Sequence, residues 1–443
     1  MPIYHRVTRS VAVVLLVIIA TAIPVLAESI GQINLDLASA IKLAVQNEVN
    51  LGTVQAGVAE ALARLEKAEA GKRPTATVSS SYTRLGEKPV IMPGVEGPQD
   101  IFTTTLSAQW PLYTGGKVDS GLKLARLGAD SAQLEYDQAV DDLIYRAIQG
   151  YTNLLKARSF VQLASEFVRT TAEHLKFVET NYELGYATKS DLLETRVRLR
   201  QAEQGFLQAQ HGAKLAEESL KNLLGIQAES ELVLAGLPVQ GVSVPVPPLA
   251  EAIKSAMDNR PELEQLRIAQ ALAEENLQMA ESYRKPMVVA IGQYDSQGDK
   301  LSLDGSWRLT LSAQWQLYDG GAGAAGVAEA QAGLTKVENS LAQVENGISL
   351  EVRQKHLAVS EAIQAKELAA LTVKQARENY EFTEAKFELG AATNLEVLTA
   401  QSTLNQAQNS EINAEYDYHL AVLDLYKAMG QIENYIAGVD VNA

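Results

Sequence analysis

Proline is expelled from helix interiors, because its ring removes an amide donor and clashes with the preceding turn. The chain carries 13 prolines, yet none lies between Leu112 and Leu237 and none follows Pro286. Lys117 to Glu183 is therefore free to run as a single helix, about 100 Å long at the usual rise per residue. That length suits crossing a compartment better than filling a globule.

The chain is also written twice. Leu106-Ser107-Ala108-Gln109-Trp110-Pro111-Leu112-Tyr113-Thr114-Gly115-Gly116 returns 205 residues on as Leu311-Ser312-Ala313-Gln314-Trp315-Gln316-Leu317-Tyr318-Asp319-Gly320-Gly321. Glu183-Leu184-Gly185-Tyr186-Ala187-Thr188 returns as Glu388-Leu389-Gly390-Ala391-Ala392-Thr393 at the same spacing. Further upstream the spacing is 212, pairing Leu37 with Leu249, Pro74 with Pro286 and Tyr82 with Tyr294. The extra residues of the first copy fall in Gly86 to Gly97, whose Pro and Gly content is that of a loop. Each copy is expected to run helix (about Asp36 to Gln46; Leu249 to Met257), helix (about Leu51 to Gly71; Glu262 to Arg284), two strands, a very long helix and a shorter one. The organisation is then a leader (1–27), a first unit (28–238), a Pro-rich linker (239–248), a second unit (249–430) and a C-terminal tail (431–443).

Apolar residues on the long helices step by alternating threes and fours. Leu122, Ala125, Ala129, Ala132, Tyr136, Ala139 and Leu143 do so in the first copy, and Val327, Ala330, Leu334, Val337, Leu341, Val344 and Ile348 in the second. The shorter helices carry Leu192, Thr195, Leu199, Ala202, Phe206, Ala209, Ala213, Ala216, Leu220 and Leu223, and the equivalents from Val397 to Ala428, with Glu411 the misfit. A mean step of 3.5 is coiled-coil spacing. Gly185 and Gly390 end the long helices, and Thr188-x-x-Asp191 and Thr393-x-x-Glu396 cap the next ones.

The strands alternate with period two. Phe102, Thr104, Leu106, Ala108, Trp110 and Leu112 share one face against Thr103, Thr105, Ser107 and Gln109. Trp307, Leu309, Leu311, Ala313, Trp315 and Leu317 repeat the pattern. Thr75 to Thr83 puts Ala76, Val78 and Tyr82 on one face. In Met287 to Asp295 the alternation is weaker, since Val289 and Ile291 fall on the expected polar face. Lengths near ten and aromatics at Tyr82, Trp110, Tyr294, Trp307 and Trp315 fit strands of a membrane barrel with an interfacial girdle. Four strands cannot close a barrel, and open edges are not viable in lipid. The chain is therefore expected to oligomerise. Two copies would give a barrel filled by its own side chains, and three would leave a water-filled bore.

The N-terminus reads as a secretory leader: Arg6 and Arg9, an apolar run from Val11 to Ala20, Pro24, and Val25-Leu26-Ala27 before an expected cut. With no Cys, disulfides are absent and Glu28 leaves no thiol for a lipid anchor. Formal net charge is -16, and removing the two leader arginines makes the remainder more acidic still, which disfavours nucleic-acid partners. The five His show no metal-ligand spacing, and no nucleophile-base pair is apparent. No catalytic, cofactor or metal site is expected, and the chain is read as no enzyme. Gly321-x-Gly323-x-x-Gly326 mimics a dinucleotide fingerprint, but no βαβ unit surrounds it. Asp141-Asp142 reads as a solvated helix face.

Two strands at one end of a unit and a helical hairpin at the other, duplicated in an exported chain, resemble the TolC-like outer-membrane efflux protein family. The duplicated Trp-x-Leu-Tyr-x-Gly-Gly (Trp110 to Gly116; Trp315 to Gly321) and the two hairpin tips carry the resemblance, which covers nearly all of the exported part. It implies a mainly α fold with a membrane β-barrel: a homotrimer with a twelve-stranded barrel in outer-membrane lipid and a long α-helical coiled-coil tunnel in the periplasm. It further implies docking of a periplasmic adaptor at the tips (Leu184, Gly185, Thr188; Leu389, Gly390, Thr393) and supply by an inner-membrane transporter. Acids narrow the tunnel mouth in the family, making Asp191 and Glu396 the candidates here. Ala392 and Thr399 stand where the family pattern has a basic residue and a second acid. The expected cargo is small molecules (drugs, metabolites or metal ions), with a protein-secretion duct as the alternative and a non-transport coiled-coil surface protein as a third reading.

Overall fold

The computed structural model describes residues 32–236, 245–300 and 304–440. The expected leader and most of the expected linker lie outside these residues. Each copy has the anticipated order. In the first, β1 (Gln32–Leu35) precedes α1 (Leu37–Gln46), α2 (Glu48–Ala70), β2 (Thr75–Arg84), β3 (Val90–Met92), β4 (Val95–Glu96), β5 (Asp100–Tyr113), α3 (Lys117–Glu183), α4 (Lys189–Leu224) and β6 (Glu231–Leu234). The second has α5 (Leu249–Asn259), α6 (Pro261–Ser282), β7 (Met287–Gly298), β8 (Ser306–Gln314), α7 (Ala322–Glu388), α8 (Asn394–Ala428) and α9 (Ile432–Asp440). α3 and α7 are each 67 residues long, about 100 Å. No helix among the described residues is both long and apolar enough to cross a membrane.

The four long strands form one antiparallel sheet in the order β2-β5-β7-β8. Its register sorts the side chains into two faces. Val78, Leu106, Tyr294 and Trp307 stand in one row, and Ala76, Ala108, Gly292 and Leu309 in the next. The opposite face carries Thr77, Ser107, Gln293 and Arg308, then Ser79, Thr105, Asp295 and Ser306. Hydrogen bonds run across that polar face, from Thr105 Oγ1 to Asp295 Oδ1 (2.8 Å) and from Gln293 Nε2 to the same oxygen (2.8 Å). The apolar face is bare: Trp307, Leu309 and Leu311 are 79%, 74% and 69% exposed. Val289 and Ile291 do fall on the polar face, opposite Ser312 and Thr310, and Val289 is buried.

Several boundaries differ from the sequence reading. β8 stops at Gln314 instead of reaching Leu317, because Gln314 already pairs with Met287, the first residue of β7, and Pro286 before it has no amide to donate. β5 continues to Tyr113 because it borders β7 at Val288 past a register shift. α2 starts at Glu48, three residues before Leu51, since the Asn47 side chain accepts the Val49 amide and caps it there. The insertion in the first copy is a small hairpin, not open loop: Gly94 takes φ +85° at its turn, and the Gly97 amide donates to Pro89 O. Most of the C-terminal tail is helix α9, where Ile432 and Tyr435 are buried at helical spacing.

The core lies partway down the long helices. Leu143, Ala147, Ile148, Tyr151 and Leu154 of α3 share one core with Val352 and Val359 of α7 and with Val422, Leu423 and Leu425 of α8. The short helices α1 and α5 wrap this level, together with the parallel pair β1–β6, which no sequence signal announced. Tyr151 is fully buried and its hydroxyl donates to Leu35 O (3.2 Å) and to Ala235 O, tying α3 to that small sheet. Burial pushes its phenol up to about 12, so it remains a donor at any ordinary pH. The predicted seams face inward: none of the seven positions from Leu122 to Leu143, nor of those from Val327 to Ile348, is exposed.

Candidate functional site

Two places bear on transport: the junction of sheet and helices, and the hairpin tips at the far end. At the junction the duplication is exact in its bonding. Trp110 Nε1 donates to Lys72 O (3.1 Å), and Trp315 Nε1 donates to Arg284 O (3.0 Å). Each indole thus pins the turn that leads into the preceding strand while its ring stays half-exposed. Gly115-Gly116 and Gly320-Gly321 follow, all four at positive φ, turning the chain sharply into α3 and α7. Of the other aromatics expected in a girdle, Tyr82 stacks near Phe102 at the opposite end of the sheet and donates to Asp100 Oδ1 (2.7 Å). Trp307 and Tyr294 face each other across β7 and β8.

The dinucleotide-like glycines belong to this junction. The Asp319 carboxylate accepts the amides of Gly321 (2.9 Å) and Gly323 (2.6 Å) at the start of α7. Those bonds, Gly323 foremost, hold its carboxyl below the usual range. The chain's own anion therefore fills the position where a nucleotide phosphate would have to bind.

At the tips, Leu184 and Leu389 are 64% and 84% exposed. Gly185 and Gly390 take φ +82° and +72°, and a Cβ at either would meet nothing within 4 Å. Both capping boxes form: Thr188 with Asp191, and Thr393 with Glu396. The Glu396 carboxylate accepts from Thr393 N (2.6 Å) and Thr393 Oγ1 (2.8 Å), bonds that hold it below the usual carboxyl range. A groove of about 390 Å³ runs between the starts of α4 and α8, with Leu193, Val197, Leu395 and Leu398 among its lining beside Glu194 and Arg198. Just above the tips a buried polar cluster links the two hairpins. It contains His174, Thr195, Asn394 and Gln401, of which the sequence singles out only Thr195, as a seam position. The available signal was Thr195, the one polar residue on the seam of α4.

The outer membrane efflux protein family profile matches residues 40–226 and 252–431, one span for each copy. The chain belongs to the outer membrane efflux protein family. Among its relatives is the alkaline protease secretion protein AprF of Pseudomonas aeruginosa, 25% identical over 335 residues, 72% of this chain and 67% of that protein. Another is the outer membrane protein TolC of Vibrio cholerae, 23% identical over 330 residues, 73% of this chain and 75% of that one. The crystal structure of CusC superposes with a TM-score of 0.80 at 18% identity, covering 89% of this chain and 92% of that chain. As a member of this family the chain is an outer-membrane efflux channel component, and its sheet and long helices share the fold of that channel structure.

Proposed function

We propose that three copies close into one exit duct, that an adaptor docks at the hairpin tips, and that an inner-membrane transporter feeds small molecules into it. The observation that carries this reading is a four-stranded sheet with one bare apolar face and no strand beyond β2 or β8 among the described residues. In lipid such edges must be paired, and β8 of one copy against β2 of the next pairs both. Three copies supply twelve strands, enough for an aqueous bore where eight would be filled. A second set of apolar residues supports the same assembly. Leu193, Val197, Leu207 and Leu215 of α4 and Leu350, Leu357, Leu368, Leu371 and Phe382 of α7 are exposed at near-heptad spacing, as for helices awaiting a neighbouring chain. Mass measurement in detergent is expected to give three chains per particle. A stable monomer with an intact sheet would overturn the reading.

The tips suit docking because their glycines leave open space beside exposed leucines and the groove of Leu193, Val197 and Leu395. For cargo, the likeness to AprF, an alkaline protease secretion protein, favours a second reading, a duct for secreted protein. A strain lacking this chain separates the two: small-molecule efflux predicts accumulation of toxic compounds, whereas protein secretion predicts a protein missing from the culture medium.

We place Glu396 at the tunnel mouth, in a ring of one carboxylate per chain, in addition to its cap. Glu396→Gln keeps an acceptor for the Thr393 amide but removes the charge. Oligomer yield is expected to hold, while single-channel recordings show reduced cation selectivity and weaker block by divalent cations. Identical recordings would leave Glu396 as a cap alone. Asp191, in the equivalent box of the first copy, serves as the internal control.

A further inference from the structure

The two hairpins of a chain are joined in different ways at different heights. At the level of Tyr151 and Val422 they share an apolar core. Just above the tips the contact is polar and buried. His174 of α3 is 7% exposed, Thr195 of α4 0% and Asn394 of α8 3%. Asn394 Nδ2 donates to Asp191 O (3.3 Å) and to Thr195 Oγ1 (3.2 Å), which turns its Oδ1 towards the imidazole. His174 Nε2, 2.8 Å away, must then be the donor. Thr195 Oγ1 closes the set by donating to Asp191 O (2.8 Å). Four residues higher on α3 and two turns along α8, Gln401 Nε2 donates to Thr170 Oγ1 (3.1 Å), while Gln401 Oε1 is buried with no partner.

The duplication shows that these residues are not required by the hairpin itself. The sister of Asn394 is Lys189, the sister of His174 is Asn379, and both are exposed. The sister of Thr195 is Ala400. The cluster therefore exists once per chain, at the contact between its first hairpin and the start of α8. A buried polar network couples its members, and the low local dielectric that strengthens its bonds also makes an added, unpaired charge costly.

We propose that His174, Asn394 and Thr195 form an acid-sensitive latch that holds the second hairpin's tip against the first, so that protonation of His174 loosens the periplasmic end of the tunnel. This rests on the reading of the chain as a tunnel subunit. Neutral imidazole fits the site, whereas imidazolium would be a charge taken out of water. Burial accordingly lowers the His174 pKa, and the Asn394 hydrogen bond, then the Glu384 carboxylate on α7, oppose that effect only in part. The other charged groups nearby are engaged elsewhere: Glu384 accepts from Tyr380, Glu173 pairs with Arg169, Glu179 with Arg196, and Lys386 lies over the Phe382 ring. The Asp191 carboxylate bonds to Thr188 and that of Glu396 to Thr393, so only the Asp191 carbonyl enters the cluster. The folded-state pKa lies below the ordinary imidazole value of about 6.5. The latch is therefore intact above that value and is lost as pH falls through the lowered one.

The chain has no Cys, so single cysteines for labelling can be introduced without background. Spin labels at Leu184 and Leu389 in the detergent-solubilised full-length oligomer report the distance between the tips. As pH falls from about 7.5 to about 5, the distribution is expected to shift to longer distances. With His174→Gln, which still donates to Asn394 Oδ1 and does not titrate, it is expected to stay at the neutral-pH value. Conductance of unlabelled protein in planar bilayers should rise several-fold over the same range, and should stay flat in the variant. A pH-independent tip distance in the wild-type sequence overturns the latch, whether or not the variant folds. So does an unchanged acid response in His174→Gln. Tips that separate in acid without any conductance would retain the latch and instead refute the tunnel reading.

Discussion

Arginine at Leu309 is expected to remove the assembled oligomer from the outer membrane. Leu309 sits near the middle of β8, 74% exposed, on the apolar face beside Gly292. If that face meets lipid, the charge costs about 2–4 kcal/mol in each chain at the bilayer midplane. A closed ring of three carries the cost three times, about 6–12 kcal/mol, comparable with the whole stability of a typical domain. Thr310 is the control. It is the next residue on the strand, faces the polar side opposite Ile291, and accepts the same substitution facing water. Heat-modifiable oligomer in outer-membrane fractions should disappear for Leu309→Arg and persist for Thr310→Arg. Equal yields would mean that the two faces are not divided between lipid and water.

Tryptophan at Gly390 should abolish export while leaving barrel and oligomer intact. Two effects are combined there and need separating. Gly390 has φ +72°, so any side chain costs about 1–2 kcal/mol of backbone strain. A Cβ meets nothing within 4 Å, so bulk reaches outward, towards whatever approaches the tip. Gly390→Ala carries the strain without the bulk and is expected to keep most export. Susceptibility to exported compounds, measured beside oligomer yield, distinguishes these. An Ala variant as defective as the Trp variant would place the fault in the turn and not in docking.

What the sequence disclosed followed from periodicity. The seams from Leu122 to Leu143 and from Val327 to Ile348 were legible because burial on a straight helix repeats at fixed spacing. Gly185 and Gly390 were legible because a left-handed turn demands glycine. The four long strands were legible because one face is apolar and the other is Thr, Ser and Gln. Four kinds of feature escaped. β1 and β6 are four residues each, too short to show a period, and they form only because Leu35 and Leu232 find the core. The end of β8 is set by its partner, since strand length depends on where Met287 begins pairing. The His174 cluster joins residues more than two hundred positions apart, and only Thr195, polar on an apolar seam, gave a local sign of it. The exposed apolar face of α7 was also missed, because its seam beyond Ile348 is broken by polar residues such as Gln364.

The unpaired edges of the sheet bear on how such a duct survives dilution. Each unit contributes two long strands, and the chain joins two units. If three copies form the ring proposed above, a chain with a single unit would have to gather six separate molecules to make it, and its yield would fall with the sixth power of concentration. Joining two units makes half of those encounters intramolecular, governed by the length of the tether and not by abundance. The dependence then falls to the cube. The two free edges also differ in kind: β2 is the first long strand of its unit and β8 the second of its own. In the ring proposed above, chains would therefore add in one direction, β8 of one against β2 of the next, and not edge to like edge.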